Sequence, residues 1–241
     1  MEKPPVKLST KVLKELLTLL REGFFGDAET LPREEDLAKI LQVSRTVIRD
    51  VLKILEQEGY IIRVKKKGTV INRKVLGVKF RLDIEYEFRT LLEMERYRHG
   101  SRVLGVDRFP AGEELKEIFR CKGEDEIIRI RKIITADSQP VIYCEDYLLK
   151  NHFREEVPRE DLFLLNVYDV LEKYCQERID FNVTNLVPIL ADEKVREHLD
   201  YQGPMLMVKE EGFTSQLKPI LYSNIYWRGD FFDFHIIRKR Y

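Results

Sequence analysis

Arg45, Thr46, Arg49 and Lys53 recur at spacings of three and four, so they share one face if the stretch from Ser44 to Gly59 forms a helix. At about 100° per residue, Val47, Ile48, Val51, Leu52, Ile54 and Leu55 fall on the other side and supply a face for a core. A projecting helix of this kind has a definite chemistry. Arginine can pair two donors with guanine O6 and N7 in the major groove of duplex DNA, and threonine can touch a base edge or methyl. Ser44 stands where a hydroxyl accepts from a free N–H at the helix start, and Gly59 where the chain needs φ > 0 to leave it.

Three cations on a helix are more often an ordinary solvated face. The residues after Gly59 tip the balance. Tyr60 to Val64, then Lys65, Lys66, Lys67, Gly68 and Thr69, then Val70 and Ile71 read as a hairpin with three lysines at its tip. A basic hairpin lies along phosphates or dips into the minor groove. Upstream, Val12, Leu13, Leu16, Leu17 and Leu20 define an amphipathic helix, capped near Ser9 or Thr10, that would pack under the two helices of residues 31–57. The layout is a winged helix-turn-helix.

Charge is placed accordingly. The 241 residues carry no net formal charge, but residues 1–75 hold sixteen Lys and Arg against eleven Asp and Glu, an excess of +5 that the remainder cancels. Length and 44% apolar content suit two folded units. No apolar run approaches the roughly 18 residues of a membrane helix and the first residues lack a secretory apolar core, so a cytoplasmic location is expected. Cys121, Cys144 and Cys175 are widely spaced and read as reduced, buried thiols.

Residues 1–73 thus form the expected DNA-binding domain, 74–80 a linker, and 81–241 a second domain. There, helical stretches at 85–97 and 113–119 alternate with extended runs. EIIRIRKIITA and VIYCEDYLL are joined by the turn Asp137-Ser138-Gln139-Pro140, a short helix comes next at NVYDVLE, and three terminal strands close the chain. The pattern implies an α+β domain with a largely antiparallel sheet.

The stretch LPREEDLAKILQVSRTVIRDVLKILEQEGYI, followed by KKKGTVI, resembles the DNA-binding domain of the GntR family of bacterial transcription regulators, whose pattern runs roughly LPSExxLAxxLGVSRxTVRxALxxLxxEGLI and then GxGTFV. The resemblance implies duplex contacts by Arg45, Thr46 and Arg49, with Gly68 at the minor groove and Ser44, Lys53, Lys65, Lys66, Lys67 and Thr69 beside them. Arg33 departs from the capping serine, Glu35 replaces an arginine that often contacts phosphate, and Lys66 replaces the first wing glycine. Arg33 would supply the missing charge from two residues away.

The second domain is similar to the UTRA effector-binding module of the HutC-like branch, through DSQP, Glu145 with Tyr147, NVYDVLE and the terminal YWRGD of residues 226–230. That resemblance implies a homodimer on a near-palindromic operator, a small-molecule effector, and a repressor rather than an activator. Glu145, Tyr168, Tyr226 and Arg228 are the pocket residues carried over. Relatives that hold phosphorylated sugars carry two arginines two apart before the turn. Here Lys132 and Ile134 are expected at those places and Asn166 replaces a serine, so a less anionic effector, or one held by Arg129, Arg131 or Arg178, is expected. No cofactor is implied. The alternative is an enzyme, because this fold resembles chorismate lyase; but His99, His152, His198 and His235 are isolated, without metal spacing or a nucleophile elbow.

Overall fold

The computed structural model describes residues 8–122, 125–175 and 177–238. It divides into two units: residues up to Glu85 together with the segment from Phe234 onward, and Tyr86–Asp233.

In the first unit, α1 (Leu8–Arg21) buries Val12, Leu16, Leu17 and Leu20 against α2 (Glu34–Ile40) and α3 (Arg45–Gln57). Ser9 and Thr10, the expected caps, lie within the helix, whose described part runs from Leu8. Arg33 is the N-cap of α2 and makes no side-chain cap bond, while Glu34, Glu35 and Asp36 favour that end through the helix dipole. Ser44 caps α3, its Oγ accepting from Val47 N at 3.4 Å. The other end closes as a Schellman turn: Gly59 N donates to Glu56 O and Tyr60 N to Leu55 O, with Gly59 at φ +84°. The wing is β1 (Ile61–Val64) paired antiparallel with β2 (Gly68–Ile71), and the short helix α4 (Arg73–Leu76) comes after it.

The segment expected as a linker carries structure. It contains most of α4, with Val75 buried, and reaches β3 (Phe80–Arg81), whose two residues are both buried and which pairs in parallel with β10 (Phe234–His235). The boundary therefore falls at Glu85 rather than Phe80, and the last strand leaves the C-terminal sheet expected for it. Apolar side chains explain the shift: Val75, Leu76, Ile84 and Ile237 pack on the winged core.

The second unit is built on one antiparallel sheet of order β4-β5-β6-β9-β8-β7. After α5 (Phe88–Met94), the strands are β4 (His99–Pro110), β5 (Glu126–Ala136), β6 (Gln139–Leu149), β7 (Phe181–Ile189), β8 (Met205–Phe213) and β9 (Pro219–Arg228). α6 (Glu113–Phe119) precedes β5; α7 (Arg159–Leu164) and α8 (Val167–Val170), the latter running into one wide turn at 171–175, precede β7; α9 (Glu193–Leu199) precedes β8. The turn expected at residues 137–140 is a two-residue hairpin with Asp137 and Ser138 both at positive φ, which matches the twist of the strands it joins.

Successive residues of a strand point to opposite faces, so register decides which side chains meet. Ile128, Ile130, Leu148 and Leu221 lie on the face covered by α7 and α8. The other face is closed at its ends by two separate helices. Phe119 of α6 packs on Ile127, Tyr147 and Tyr222, while Val195 and Leu199 of α9 pack on Ile133, Tyr143 and Met205. Between those two apolar ends the sheet carries polar groups.

Candidate functional site

α3 presents Arg45, Thr46, Arg49 and Lys53 to solvent and buries Ile48, Val51, Leu52 and Leu55. Beside it, Arg33, Lys65, Lys66, Lys67 and Gly68 are exposed and Thr69 is half-buried. Ser44 is also exposed, but its hydroxyl is occupied by the cap. One helix face and one hairpin tip thus offer exposed cations.

Several of these cations hold a carboxylate in the free protein. Arg45 Nη1 lies 2.9 Å from Glu35 Oε1, Arg49 Nη2 donates to Glu34 Oε2 at 3.5 Å, and Lys67 Nζ donates to Glu29 Oε1 at 2.8 Å. Glu35 is therefore a neighbour of α3. Exposed pairs of this type are worth only about 0–1 kcal/mol, so a phosphate or a guanine edge can displace the acid. In the winged unit, two described turn residues take positive φ without being glycine: Gln42 at +53° between α2 and α3, and Lys66 at +68° in the wing. The family pattern carries a glycine at the place of Gln42, LGVS against LQVS, as a positive φ there would favour.

In the second unit the structure brings together only part of the expected set. Glu145 and Tyr226 share the polar face. Tyr143 donates to Glu145 Oε1 at 2.8 Å and Tyr147 to Oε2 at 3.0 Å; the Tyr226 ring lies 5.7 Å from that of Tyr143. Burial, followed by the Glu145 charge, raises the affinity of Tyr143 and Tyr226 for their protons and pushes Tyr147 up to about 12, so all three present neutral hydroxyls.

Lys132 is a correction. It faces the opposite side and is buried there, where Nζ donates to Asp146 Oδ2 at 2.6 Å; Ser223 Oγ and Cys144 Sγ donate to Asp146 Oδ1 at 2.7 and 3.1 Å. Burial works against its charge, but Asp146 prevails and the ammonium holds its proton more tightly than usual. Tyr168 also lies on that far side, packed against the cluster beneath α7 and α8. Arg178 is exposed in the segment before β7. None of these three meets Glu145.

Arg228 is on the polar face but serves the fold. Nε and Nη2 grip Asp230 at 3.0 and 2.7 Å, Nη1 reaches the carbonyls of Pro140 and Leu199 at 3.1 and 3.3 Å, and the guanidinium covers the Tyr201 ring.

Two arginines two apart do lie on the Glu145 face: Arg129 and Arg131, the alternatives named from the sequence, three residues before Lys132 and Ile134, and both bind Asp107 of β4. Arg129 Nη2 is 2.9 Å and Arg131 Nε 3.1 Å from Asp107 Oδ2. Gly105 sits at a bulge in β4, where a Cβ would come within 3.0 Å of Arg131 Nη2. The face also holds groups the sequence did not single out. Asn224 Oδ1 and His198 Nε2 are buried without a hydrogen-bond partner, and the His198 ring stacks 5.2 Å from Tyr143. Burial lowers the pKa of His198, which favours the neutral imidazole. An unsatisfied buried acceptor is costly, and a ligand donor would relieve it.

The pattern of the bacterial regulatory proteins of the gntR family matches residues 8–71, and that of the UTRA domain matches residues 94–233. The chain belongs to the GntR family and carries a UTRA domain. It is 23% identical to the transcriptional repressor NagR of Bacillus subtilis over 95% of this chain and 94% of that protein, and 26% identical to the transcriptional regulator TreR of the same organism over 95% and 96%. The crystal structure of the possible transcriptional regulator YydK from Bacillus subtilis has a TM-score of 0.74 at 20% identity, covering 96% of this chain and 99% of that one. PhnF from Mycobacterium smegmatis has a TM-score of 0.59 at 16% identity over 95% and 99%. These two likenesses establish the fold. Family membership makes the chain a DNA-binding transcription regulator and not an enzyme. Among the described residues, no helix is long and apolar enough to cross a membrane.

Proposed function

We propose that this GntR regulator is a cytoplasmic, homodimeric repressor whose hold on a near-palindromic operator is changed by a small molecule bound on the Glu145 face of the sheet. The observation that carries the effector reading is the half-buried polar strip between α6 and α9, with two orphaned buried atoms among tyrosine rings. Arg45, Thr46 and Arg49 read one half-site, and Lys53, Arg33 and the wing residues Lys65 to Thr69 contact phosphate or the minor groove.

Charge and geometry narrow the ligand. Arg129 and Arg131 are balanced by Asp107 and Glu145, and Glu145 already accepts from two hydroxyls. An anion would have to displace Asp107, whereas a neutral, hydroxyl-rich molecule such as a free sugar could donate to Asn224 and His198 while its ring rests on Tyr226. We infer the neutral class.

Dimerisation is supported by β7, an edge strand bearing exposed Phe181, Val183 and Leu186, with exposed Leu190 just beyond. A long apolar edge offers free backbone groups for pairing with a second copy. In such a dimer, each ligand need only bind one arrangement of the winged units better than the other; about 1.4 kcal/mol of difference changes operator occupancy tenfold.

A thermal-shift screen of free sugars, nucleosides and their phosphates tests the effector class. A true ligand at 100 times its Kd adds about 2.7 kcal/mol to stability. A neutral sugar should stabilise the wild type but not Asn224→Leu. Stabilisation by phosphorylated compounds alone would overturn the neutral reading, and a response retained in Asn224→Leu would remove this face from the site.

A further inference from the structure

The end of the chain belongs to the DNA-binding unit rather than to the sheet it leaves. β9 finishes at Arg228, five residues intervene, and β10 then pairs with β3, Phe234 opposite Phe80 and His235 opposite Arg81. Leu82 N donates to the His235 carbonyl at 3.0 Å, the Phe234 ring meets the edge of Phe80 at 6.3 Å, and Ile237 packs on the core of α1 to α3.

What β3 holds is the far end of the reading helix. Arg81 is 5% exposed, and its Nη1 donates at 2.8 Å to the carbonyl of Glu58, the C-cap of α3. Its guanidinium lies 5.0 Å from the Tyr60 ring centroid, directly after the Schellman glycine, and Asp83 takes its Nε and Nη2. A buried cation at a helix C-terminus satisfies an orphaned carbonyl and complements the helix dipole. Arg81 is thus fixed on one side by Asp83 and in its backbone by β10, and it leaves α3 little freedom to tilt about its C-terminal end.

We propose that β10 and Arg81 are positioning elements for the DNA-reading helix, and that β10 makes the winged unit covalently continuous with β9, the strand carrying Asn224 and Tyr226. The DNA-binding unit is then joined to the sheet unit at two places in the chain, after Glu85 and before Phe234, and the route through the terminal strand ends on the cap of α3. This inference rests on the reading of α3 as the helix that enters the groove.

The test uses the whole protein. The wild type first selects a preferred duplex from a random-sequence pool, and failure to enrich any sequence at this stage would count against the reading of α3 itself. His235→Pro, a chain ending at Asp233, and the conservative Phe234→Leu are then titrated with the selected duplex and with random-sequence duplex. Fluorescence of Trp227, the single tryptophan, reports whether the sheet unit remains folded. The first two variants should lose at least tenfold in preference for the selected duplex, with random binding and its salt slope kept, because the wing lysines are untouched. Phe234→Leu should stay within a few-fold of wild type. Undiminished preference in the chain ending at Asp233 would overturn the proposal, as would equal loss on both duplexes, which signals collapse of the unit rather than a misplaced helix.

Discussion

The winged unit displays its functional groups on the outside of one helix and one hairpin, whereas the sheet unit assembles them on an inner strip from β4, β5, β6, β9 and α9. In the first, the residues from Arg45 to Thr69 that act together are near neighbours in the chain. In the second, Asp107, Arg131, Glu145 and Asn224 are brought together only by strand pairing, and His198 by the packing of α9 on Tyr143. The difference decides what a change of one residue means. A helix face tolerates some error in phase, but a slip of one in a strand exchanges the two sides of a sheet.

The largest effect should separate the two sides of that sheet. Lys132→Met leaves Asp146 buried without its cation, and breaking a buried pair costs about 3–5 kcal/mol. Urea unfolding of Lys132→Met should show that loss, whereas Arg131→Met, on the half-buried polar face, should cost much less. Equal losses would erase the distinction between the buried and the half-buried side. Next comes the winged unit. Arg49→Ala should weaken selected-duplex binding by about 1–3 kcal/mol while random binding changes little, and Lys66→Ala should weaken both alike and flatten the salt dependence.

Acid should find the sheet unit through His152, whose pKa is pushed down to about 4, first by burial and then by the Lys218 charge. The unfolded chain takes up that proton near 6.5 while the folded one resists it until about 4, so stability should fall as pH drops through that window. Replacing His152 by Leu should flatten that part of the profile in a pH series of denaturation midpoints. Smallest is the strain in the helix-turn-helix corner. Gln42→Gly should raise stability by about 1 kcal/mol, because glycine accepts φ +53° without a Cβ clash. A lower melting temperature would show that the turn is set by Gln42 contacts instead.

How much was legible reflects the same contrast. Ser44, the apolar phase of α3 and Gly59 define both ends and both faces of the reading helix from sequence alone, because caps and helical period are local. The hairpin with Lys65 to Lys67 at its tip is equally local. In the sheet unit the strands and the turn at Asp137 could be read, and Glu145 with Tyr226 fell on one and the same face. Lys132 did not, since nothing in EIIRIRKIITA marks which alternate set faces Glu145; that is fixed by Arg131 opposite Glu145 in the register. Asn224 and His198 carry no motif, and their role depends on what surrounds them. Phe80 and Phe234 lie 154 positions apart, so a pairing between two short segments left no periodic signal.

If the outward face of α3, steadied by its wing, reads duplex DNA, selection from a random-sequence duplex pool followed by salt titration will reveal it. The expected result is enrichment of a two-fold symmetric sequence, with half-sites about 10 base pairs or a multiple apart. Binding to it should fall steeply with salt yet outcompete bulk duplex throughout. A pool that remains random after repeated rounds, with every duplex bound alike, would mean that this face reads no sequence.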